Sequence, residues 1–558
     1  MLTCFKDLRC EENGVQPMPQ ADQRTSSSSL RRFYLANLIF MALVCVLPLE
    51  TQAKDGMGVV AIRLVGNGYL PKQLTLKSLS SGQSIQLPVV RQAVFSSTVF
   101  GGSVAEGRYT VEKLLVAGAS AGVPVEPDSP KSTFEGDLEG LVGGEFEVTA
   151  SRVTNLGTLI YFPIGDPVKT HVPFQRVPRQ TNFNFVVDST RAPTDTIIRT
   201  EPLKAKSNSV PSDELNWSAA PGVATGTDVG KMLIEEAAKR FPVLWGANVG
   251  PVSDTFFAGG RMGQVITVDA SGLRKRLQTG TVHEIHAVHE LDDGRWLAGG
   301  EEGYLTYSND RGQTWNRVNP IEPHGLVMHI THSKRGKIYV TSQLDDGVVV
   351  HSTDKHLQRW VEVFRSPITP ASRYSNTNPT EALFSLRDSV SSTAQRLVIY
   401  ARDAKLHSMD FENETWQSEE SGPNHKGIST SVDGLVIGSI FVGVKRGTLD
   451  YGKTWYKLES FTWAGQPLFS DRLNGAMVGS PLKFTYPYRD WTLYNTSDGG
   501  LSWSAVQTVD LEGVMWSYGA LRWMNKAMNI VAIIYPPQGM LMISRDGGRT
   551  WTKSAANQ

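Results

Sequence analysis

The sequence predicts an all-β fold, with a small β-sandwich followed by a seven-bladed β-propeller. Residues 57–185 alternate apolar and polar side chains with a period of two and show no helical period. Further along the chain, one turn-forming motif recurs at spacings of about 40 to 56 residues, the length of a propeller blade. The predicted parts are a leader with a signal peptide at 1–53, the sandwich at 54–190, a linker with a short helix at 191–240 and the propeller at 241–558.

The overall composition excludes several classes of protein. The 558 residues contain 55 Lys+Arg and 55 Asp+Glu, so the formal net charge is zero. A chain without net charge has no general attraction for nucleic acid, and no nucleic-acid partner is expected. The 13 tryptophans and the aromatic content of 9% are typical of a folded β-rich chain and not of a disordered one.

The three cysteines are confined to the start of the chain. Cys4, Cys10 and Cys45 all precede residue 50. The rest of the chain is therefore expected to contain no disulfide, no cysteine nucleophile and no thiolate metal site.

The segment before residue 54 has the pattern of a signal peptide. Arg31 and Arg32 precede an apolar run from Phe33 to Leu49, and Ala53 ends a short stretch that suits signal peptidase. We expect cleavage near Ala53 and export to the periplasm or the medium. The alternative is an uncleaved membrane anchor, since a run of about seventeen apolar residues is at the short limit of a membrane-spanning helix.

The next segment predicts a sandwich and then a linker. The strand phrases Gly107–Val111, Phe146–Val148 and Val153–Leu159 resemble the small transthyretin-like or immunoglobulin-like modules of bacterial envelope proteins. Residues 191–230 are rich in Thr, Ser and Pro and lack periodicity, which is typical of a linker. Apolar residues at helical spacing near Met232 predict one short helix before the propeller.

The recurring motif, called the box below, predicts the propeller. It has a hydroxyl residue, Asp, Gly, a hydroxyl residue and Trp at relative positions one, three, five, seven and eight. The four full boxes are Ser308, Asp310, Gly312, Thr314 and Trp315; Thr448, Asp450, Gly452, Thr454 and Trp455; Thr496, Asp498, Gly500, Ser502 and Trp503; and Ser544, Asp546, Gly548, Thr550 and Trp551. Looser copies contain Asp269, Asp354 and Asp410. Seven Asp positions predict seven blades.

The residue types of the box suit a tight hairpin turn. The Asp can accept hydrogen bonds from turn amides, and the Gly can adopt a backbone conformation that other residues avoid. The hydroxyls can join the two strands, and the Trp is expected to bury its ring beneath the turn. We therefore predict a structural role for the boxes.

The box resembles the Asp-box, or BNR repeat, found in sialidases, sortilin-type receptors, some other glycosidases and the photosystem II assembly propellers. The resemblance covers residues 241–558 and implies a β-propeller with its boxes at peripheral turns, on the face away from the ligand. It implies that the box carboxylates are not catalytic.

A sialidase active site is not predicted. A sialidase would carry an arginine phrase in its first blade, and none stands between Phe241 and Gly263, where the nearest arginine is Arg261. Catalytic residues are therefore unassigned, and a secreted sialidase-like glycoside hydrolase is the alternative function.

Other chemical motifs lead to no cofactor or metal prediction. The histidines of the segment His283–Glu290 are expected on opposite faces of a strand, which argues against a shared zinc ion. No phosphate-binding loop is recognisable. The Gly118–Gly122 phrase matches a nucleophile elbow, but Pro124 and Pro127 forbid the helix that such an elbow needs.

The predicted binding surface is the mouth of the propeller channel, on the face opposite the boxes. Loops that follow each outer strand should emerge there. The residues predicted to contact a ligand are His283, Glu284, His324, Arg373, Tyr374, His425, Trp463 and Trp516. Aromatic and imidazole groups around a concave mouth suit a peptide or a glycan. The predicted function is that of an exported, non-catalytic binding or assembly propeller of the bacterial cell envelope, with an envelope protein or glycan as its partner.

The signal-peptide pattern predicts that the mature chain begins at or near Lys54. Intact-mass measurement of protein recovered from an exporting host checks this expectation. A mass that includes the run from Phe33 to Leu49 would instead establish the membrane anchor.

Overall fold

A computed structural model describes most of the chain between residues 56 and 553. Within that range the residues outside the description are 67–70, 93–96, 117–137, 164–178, 181–182, 189–214, 241–244, 251, 254, 270, 272, 320, 323–324, 345–346, 368–389, 401–404, 421–426, 440–444, 460–462, 465–466, 481–490, 510–520, 525–529 and 535–539. The predicted signal peptide and its cleavage position also lie outside the described residues.

The first part of the described chain is a sandwich of two mixed sheets. Its strands are β1 Met57–Gly66, β2 Pro71–Ser78, β3 Ser84–Leu87, β4 Val89–Gln92, β5 Ser97–Ala105, β6 Gly107–Val116, β7 Leu138–Val148, β8 Val153–Pro163, β9 Arg179–Gln180, β10 Phe183–Asp188, β11 Trp217–Ala219 and β12 Val223–Ala224. One sheet has the order β12-β10-β8-β1-β5-β4, and the other has the order β11-β7-β6-β2-β3 with β9 beside β7. β1 runs parallel to β8 and antiparallel to β5.

Strand β1 is buried on both faces. Because side chains alternate along a strand, Val60, Ile62 and Leu64 enter the core between the two sheets. The other face carries Arg63 and Val65, which are also buried. An almost unbroken apolar strand is expected where both faces are covered, and the second face is covered by the propeller.

The sandwich extends into the segment predicted to be a linker. Strand β11 pairs with β7, and β12 pairs with β10. The Trp217 indole donates a hydrogen bond to the Leu156 carbonyl (2.8 Å), and its ring meets the edge of Phe146 at 5.7 Å. These short strands depend on pairing with distant partners, which local composition does not reveal. The linker prediction is therefore wrong for residues 217–224.

The predicted short helix is present as α1, Asp228–Arg240, directly after the sandwich. Thr227 caps it by accepting a hydrogen bond from the Gly230 amide (3.0 Å) on its hydroxyl oxygen. No helix in the described part of the chain is both long and apolar enough to cross a membrane.

Seven consecutive antiparallel sheets follow, and they confirm the predicted seven-bladed propeller. Blade 1 is β13 Trp245–Val249, β14 Phe256–Gly259, β15 Gln264–Val268 and β16 Arg274–Gln278; blade 2 is β17 Ile285–Glu290, β18 Trp296–Gly300, β19 Leu305–Ser308 and β20 Asn316–Val318. Blade 3 is β21 Leu326–His332, β22 Ile338–Gln343, β23 Gly347–Thr353 and β24 Val361–Pro367; blade 4 is β25 Val390–Ser392, β26 Arg396–Tyr400, β27 Lys405–Asp410 and β28 Trp416–Glu420; blade 5 is β29 Gly427–Thr430, β30 Val436–Ser439, β31 Lys445–Thr448 and β32 Tyr456–Leu458. Blade 6 is β33 Trp463–Ala464, β34 Leu468–Phe469, β35 Gly475–Ser480, β36 Trp491–Thr496 and β37 Ser504–Val509; blade 7 is β38 Leu521–Met524, β39 Ile530–Ile534, β40 Met540–Ser544 and β41 Thr552–Lys553. A 3₁₀ turn at Glu301–Gly303 joins β18 to β19.

Strand order defines two faces of the propeller. In six blades the four strands lie side by side in chain order and alternate in direction, and in blade 6 the short strands β33 and β34 together take the place of the first strand, since both pair with β35. The turn between the third and fourth strands, which holds the box, therefore emerges on one face, the box face. The connection between the second and third strands and the connection to the next blade emerge on the opposite face, the mouth face. Blade 7 obtains its outer strand β41 from its own stretch of chain, and the ring closes where β13 contacts β38.

Each full box is a turn held by one carboxylate and one hydroxyl. The Asp310 carboxylate accepts hydrogen bonds from the Thr314 amide (2.8 Å) and the Ser308 hydroxyl (2.7 Å). The Ser308 oxygen in turn accepts a hydrogen bond from the Gly312 amide (2.7 Å). The same contacts recur at Asp450, Asp498 and Asp546.

The box glycine is required by conformation and by space. Arg311 and Gly312 have φ of 57° and 84°, in the left-handed region that favours glycine. A Cβ on Gly312 would lie 2.5 Å from the Cδ1 of Leu277, in the outer strand of the preceding blade. The box therefore shapes its own hairpin and also sets how closely neighbouring blades approach.

All four box tryptophans are half-buried, so they are less covered than the sequence predicted, and Trp315, Trp455 and Trp503 pack in clusters that include residues of two blades. The Trp503 indole donates a hydrogen bond to the carbonyl of Glu459, just after the outer strand of blade 5 (2.9 Å). The Trp315 ring packs against the cluster that contains Phe257 and Trp296. A ring at a seam keeps one edge in solvent, because the outer strands diverge towards the rim.

Acid should weaken the propeller through the boxes. Hydrogen bonds from Thr314, Ser502 and Thr550 lower the pKa of Asp310, Asp498 and Asp546 to about 2. Because the pKa in the unfolded chain is about 3.9, these carboxylates stabilise the fold above about pH 4, and this stabilisation is lost as the pH falls towards 2. We expect a variant with Asn at all three positions to melt at a lower temperature than the wild type at pH 7. Its melting temperature should also fall less than that of the wild type when the pH is lowered. Thermal unfolding followed by circular dichroism from pH 7 to pH 2 measures both effects.

The control for this experiment is Asp228→Asn, at an exposed position at the start of α1 with only a 4.0 Å contact to Lys231. It should follow the wild-type acid profile. A triple variant with an acid profile indistinguishable from the wild type would contradict the role assigned to the box carboxylates.

Candidate functional site

The sandwich covers part of the mouth face. Apolar side chains from the sandwich, from α1 and from two mouth-face loops form one buried cluster. Its members are Val65, Ile160 and Val186 from the sandwich, Met262 and Val282 from the loops of blade 1, and Val223, Leu233 and Ile234 at the border. The burial of this apolar surface stabilises the contact between the two domains.

A buried ion group crosses the same interface. Glu302 lies in the mouth-face connection of blade 2, and its side chain is only 4% exposed. One carboxylate oxygen lies 3.8 Å from Nη2 of Arg63, and the other lies 3.8 Å from Nε of Arg91. Glu302 has φ of 55°, a conformation that a non-glycine residue adopts at a cost. Such a backbone persists where surrounding contacts hold it, and here Arg63 and Arg91 lie on either side of the carboxylate.

The structure corrects two of the predicted contact residues. His283 is 6% exposed and Glu284 is 1% exposed, so neither presents a side chain to a ligand. Glu284 instead accepts a hydrogen bond from Nε of Arg261 (2.9 Å) and lies 3.5 Å from Nε2 of His286. These residues brace blades 1 and 2. The first-blade arginine nearest to a sialidase position, Arg261, is thus held by Glu284.

The other predicted contact residues stay predictions. His324, Arg373, Tyr374, His425 and Trp516 lie outside the described residues, and Trp463 is described only as the start of β33. Both the position of these residues on the mouth face and the role of their side chains therefore stay predictions.

Polar side chains join the inner strands of blades 3 to 6 around the channel. The ring nitrogen Nε2 of His329 lies 3.2 Å from the Ser392 hydroxyl. Ser391 and Thr430 are joined through their hydroxyls (2.8 Å), and Ser429 donates to the Pro467 carbonyl (2.9 Å). The sequence offered no signal for this polar wall, because hydroxyl residues also occur throughout ordinary strands.

Two imidazoles on neighbouring inner strands are hydrogen-bonded to each other. Nε2 of His289 lies 2.7 Å from Nδ1 of His332, whose Nε2 lies 3.0 Å from the Asp292 carboxylate. Burial lowers the pKa of His289 well below its usual value, and the charges of His332 and His329 lower it further. Burial likewise lowers the pKa of His329 to about 4. His289 and His329 are therefore neutral near pH 7.

The structure contains a buried lysine that the sequence analysis did not select. Lys445, the first residue of β31, is 4% exposed, and its Nζ lies 3.4 Å from the sulfur of Met477. Burial lowers its pKa to about 7. A lysine at a strand end gives no sequence signal for burial, because most such residues are solvated.

The seven sheets and the docked sandwich define the class of protein: a two-domain all-β chain built on a seven-bladed propeller. No protein-family model matches the sequence, and no curated protein sequence matches it. Similar solved structures include YCF48 from Cyanidioschyzon merolae, with a TM-score of 0.38 and 11% identity over 55% of this chain and 94% of that chain. BamB from Moraxella catarrhalis matches with a TM-score of 0.36 and 13% identity over 56% of this chain and 86% of that chain. The β-propeller domain of Cps50 (Swd1) from Myceliophteria thermophila matches with a TM-score of 0.37 and 13% identity over 57% of this chain and 97% of that chain. At these identities the likeness is one of fold and indicates no function.

Removing the interface carboxylate should loosen the sandwich. Glu302→Ala would leave Arg63 and Arg91 facing each other without the anion between them. The loss of one partner from a buried ion group costs about 3 kcal/mol of unfolding free energy. Urea unfolding measures this loss, and hydrogen exchange should show earlier opening of Met57–Gly66 and Asp228–Arg240.

The matched control is Glu412→Ala, which removes an exposed ion pair with Arg335 whose side chains are 82% and 67% exposed. Its cost should stay below about 1 kcal/mol. If the two variants lose the same unfolding free energy, the carboxylate of Glu302 does not help to hold the interface.

Proposed function

We propose that the protein is an exported, non-catalytic binding or assembly protein of the bacterial cell envelope, and that its propeller engages a protein or a glycan through the mouth face. The observation that carries the proposal is the docking of the sandwich on this face, through the apolar cluster around Met262 and the ion group at Glu302. Two domains fixed side by side present a composite surface with little freedom to lose on binding, which favours tight association.

The hydrogen bonds already made by the box carboxylates and by Glu284 with Arg261 support a binding role over catalysis. The box carboxylates are occupied by turn hydrogen bonds, as at Asp310 and Asp498. This supports the finer assignment of the boxes to the Asp-box type, in which these residues are structural. Glu284 and Arg261 are occupied by each other at the mouth end of blades 1 and 2. These hydrogen-bonded groups stabilise the propeller. The residues proposed to contact a partner are therefore the side chains predicted in the mouth-face loops that follow blade 2.

Photo-crosslinking tests which face binds. A photoreactive residue at His425 or Trp516, which the sequence predicts to lie at the channel mouth, should capture a discrete envelope protein or glycan in the native host. The same residue at Lys453 or Arg549, exposed in box turns, should not. Capture from the box positions alone would overturn the proposal.

A fluorogenic glycoside panel with the purified protein tests the rival hydrolase function. The binding proposal predicts turnover no faster than the buffer rate for every substrate. Turnover that disappears in Arg373→Ala while the melting temperature stays unchanged would establish the sialidase-like alternative.

A further inference from the structure

Three potential metal ligands converge at the edge of blade 3, and none of them belongs to the apolar cluster around Met262. Glu322 lies in the connection from blade 2, His351 lies on β23, and Glu362 lies on β24 directly opposite His351 in the strand register. One ligand atom from each residue lies within 4.8 Å of the other two. The sequence analysis had no reason to select them, because they come from three separate segments.

The imidazole in this cluster has an unmet hydrogen-bonding capacity. The His351 side chain is 10% exposed, and its Nε2 points to the Glu322 carboxylate at 3.7 Å, beyond hydrogen-bond distance. Its buried Nδ1 has no hydrogen-bond partner among the described residues. Nε2, the nitrogen that faces Glu322 without a hydrogen bond to it, is the ring atom placed to bind an ion at this cluster.

The guanidinium group of Arg365 lies between the carboxylates of Glu322 and Glu362 and provides the positive charge there. Nη2 of Arg365 lies 2.7 Å from Glu362 and 3.5 Å from Glu322. Arg365 also donates from Nε to both carboxylate oxygens of Glu362 (3.1 and 3.2 Å), and because its side chain is 41% exposed, an ion that displaces it moves it into solvent. The two carboxylates thus favour a cation at this position, and a smaller cation could replace the Arg365 guanidinium there.

We propose that Glu322, His351 and Glu362 bind a divalent transition-metal ion of the zinc type in exchange for the Arg365 guanidinium. One imidazole and two carboxylates match the ligand preferences of Zn²⁺, and they match those of Ca²⁺ or Mg²⁺ less well, since these ions prefer oxygen ligands alone. Water would complete the four-coordinate shell. The two glutamates are partly exposed and can close on the ion by side-chain rotation, while His351 is held by its strand.

The bound ion would join the connection from blade 2 to the outer strands of blade 3. It therefore adds a cross-link between this connection and blade 3. Because the ion binds the folded chain, it should raise the melting temperature in a concentration-dependent way.

Titration of the chelator-treated, full-length mature protein with Zn²⁺ tests the proposal, by calorimetry and by melting temperature. The wild type should bind one ion at this cluster. Glu322→Gln and Glu362→Gln should each weaken the binding at least about tenfold, because each removes a charged ligand. Arg365→Met should tighten it, because the competing cation is removed. His351→Gln should also weaken Zn²⁺ binding, because it removes the imidazole ligand. If this substitution in the core prevents folding, the two glutamate variants still test the same site.

The matched control is Glu412→Gln, which removes another carboxylate from an arginine pair, with Arg335. It should leave Zn²⁺ binding unchanged. The proposal is overturned if neither the wild type nor Arg365→Met binds Zn²⁺, or if binding is unaffected by Glu322→Gln and Glu362→Gln. Zn²⁺ held instead by the imidazoles of His289 and His332 would give that second result.

Discussion

In each full box, a carboxylate and a hydroxyl two residues apart hold the amides of a turn whose fourth and fifth residues are left-handed, as at Arg311 and Gly312. This turn fixes the register between the third and fourth strands of a blade. Its glycine also sits against the outer strand of the preceding blade, with no space for a Cβ beside Leu277. The same small motif therefore sets both the hairpin and the blade spacing, and the channel and its mouth follow from that spacing.

The mouth face is partly occupied by the protein's own sandwich. Apolar burial around Met262 and Val282 supplies the stabilisation of this contact, because buried apolar area is favourable wherever it occurs. The ion group at Glu302 adds directionality, since a buried carboxylate between two arginines tolerates few alternative placements. A face that would otherwise be a complete ring of loops thereby becomes a composite surface of two domains.

Buried polar groups in the propeller fall into pairs and chains that cross from one blade to the next. Arg261 with Glu284, His289 with His332, and Ser391 with Thr430 each connect separate strands or blades. Desolvation makes such groups costly when they are left alone, so their mutual contacts favour one arrangement of neighbouring blades. The cluster at Glu322 differs from these pairs because its glutamates and its arginine are partly exposed.

The sequence by itself determined the features that depend on local chemistry. The boxes predicted the turns, their number predicted the seven blades, and the two-residue period predicted the sandwich, because turn geometry and strand alternation arise from neighbouring residues. Only the tertiary structure decided the features that depend on distant partners. It joined Trp217 to the sandwich, buried His283 and Glu284 beside the docked domain, and brought His351 to two glutamates from other segments. These outcomes depend on which surfaces meet in space, and the spacing of residues along a chain does not encode that meeting.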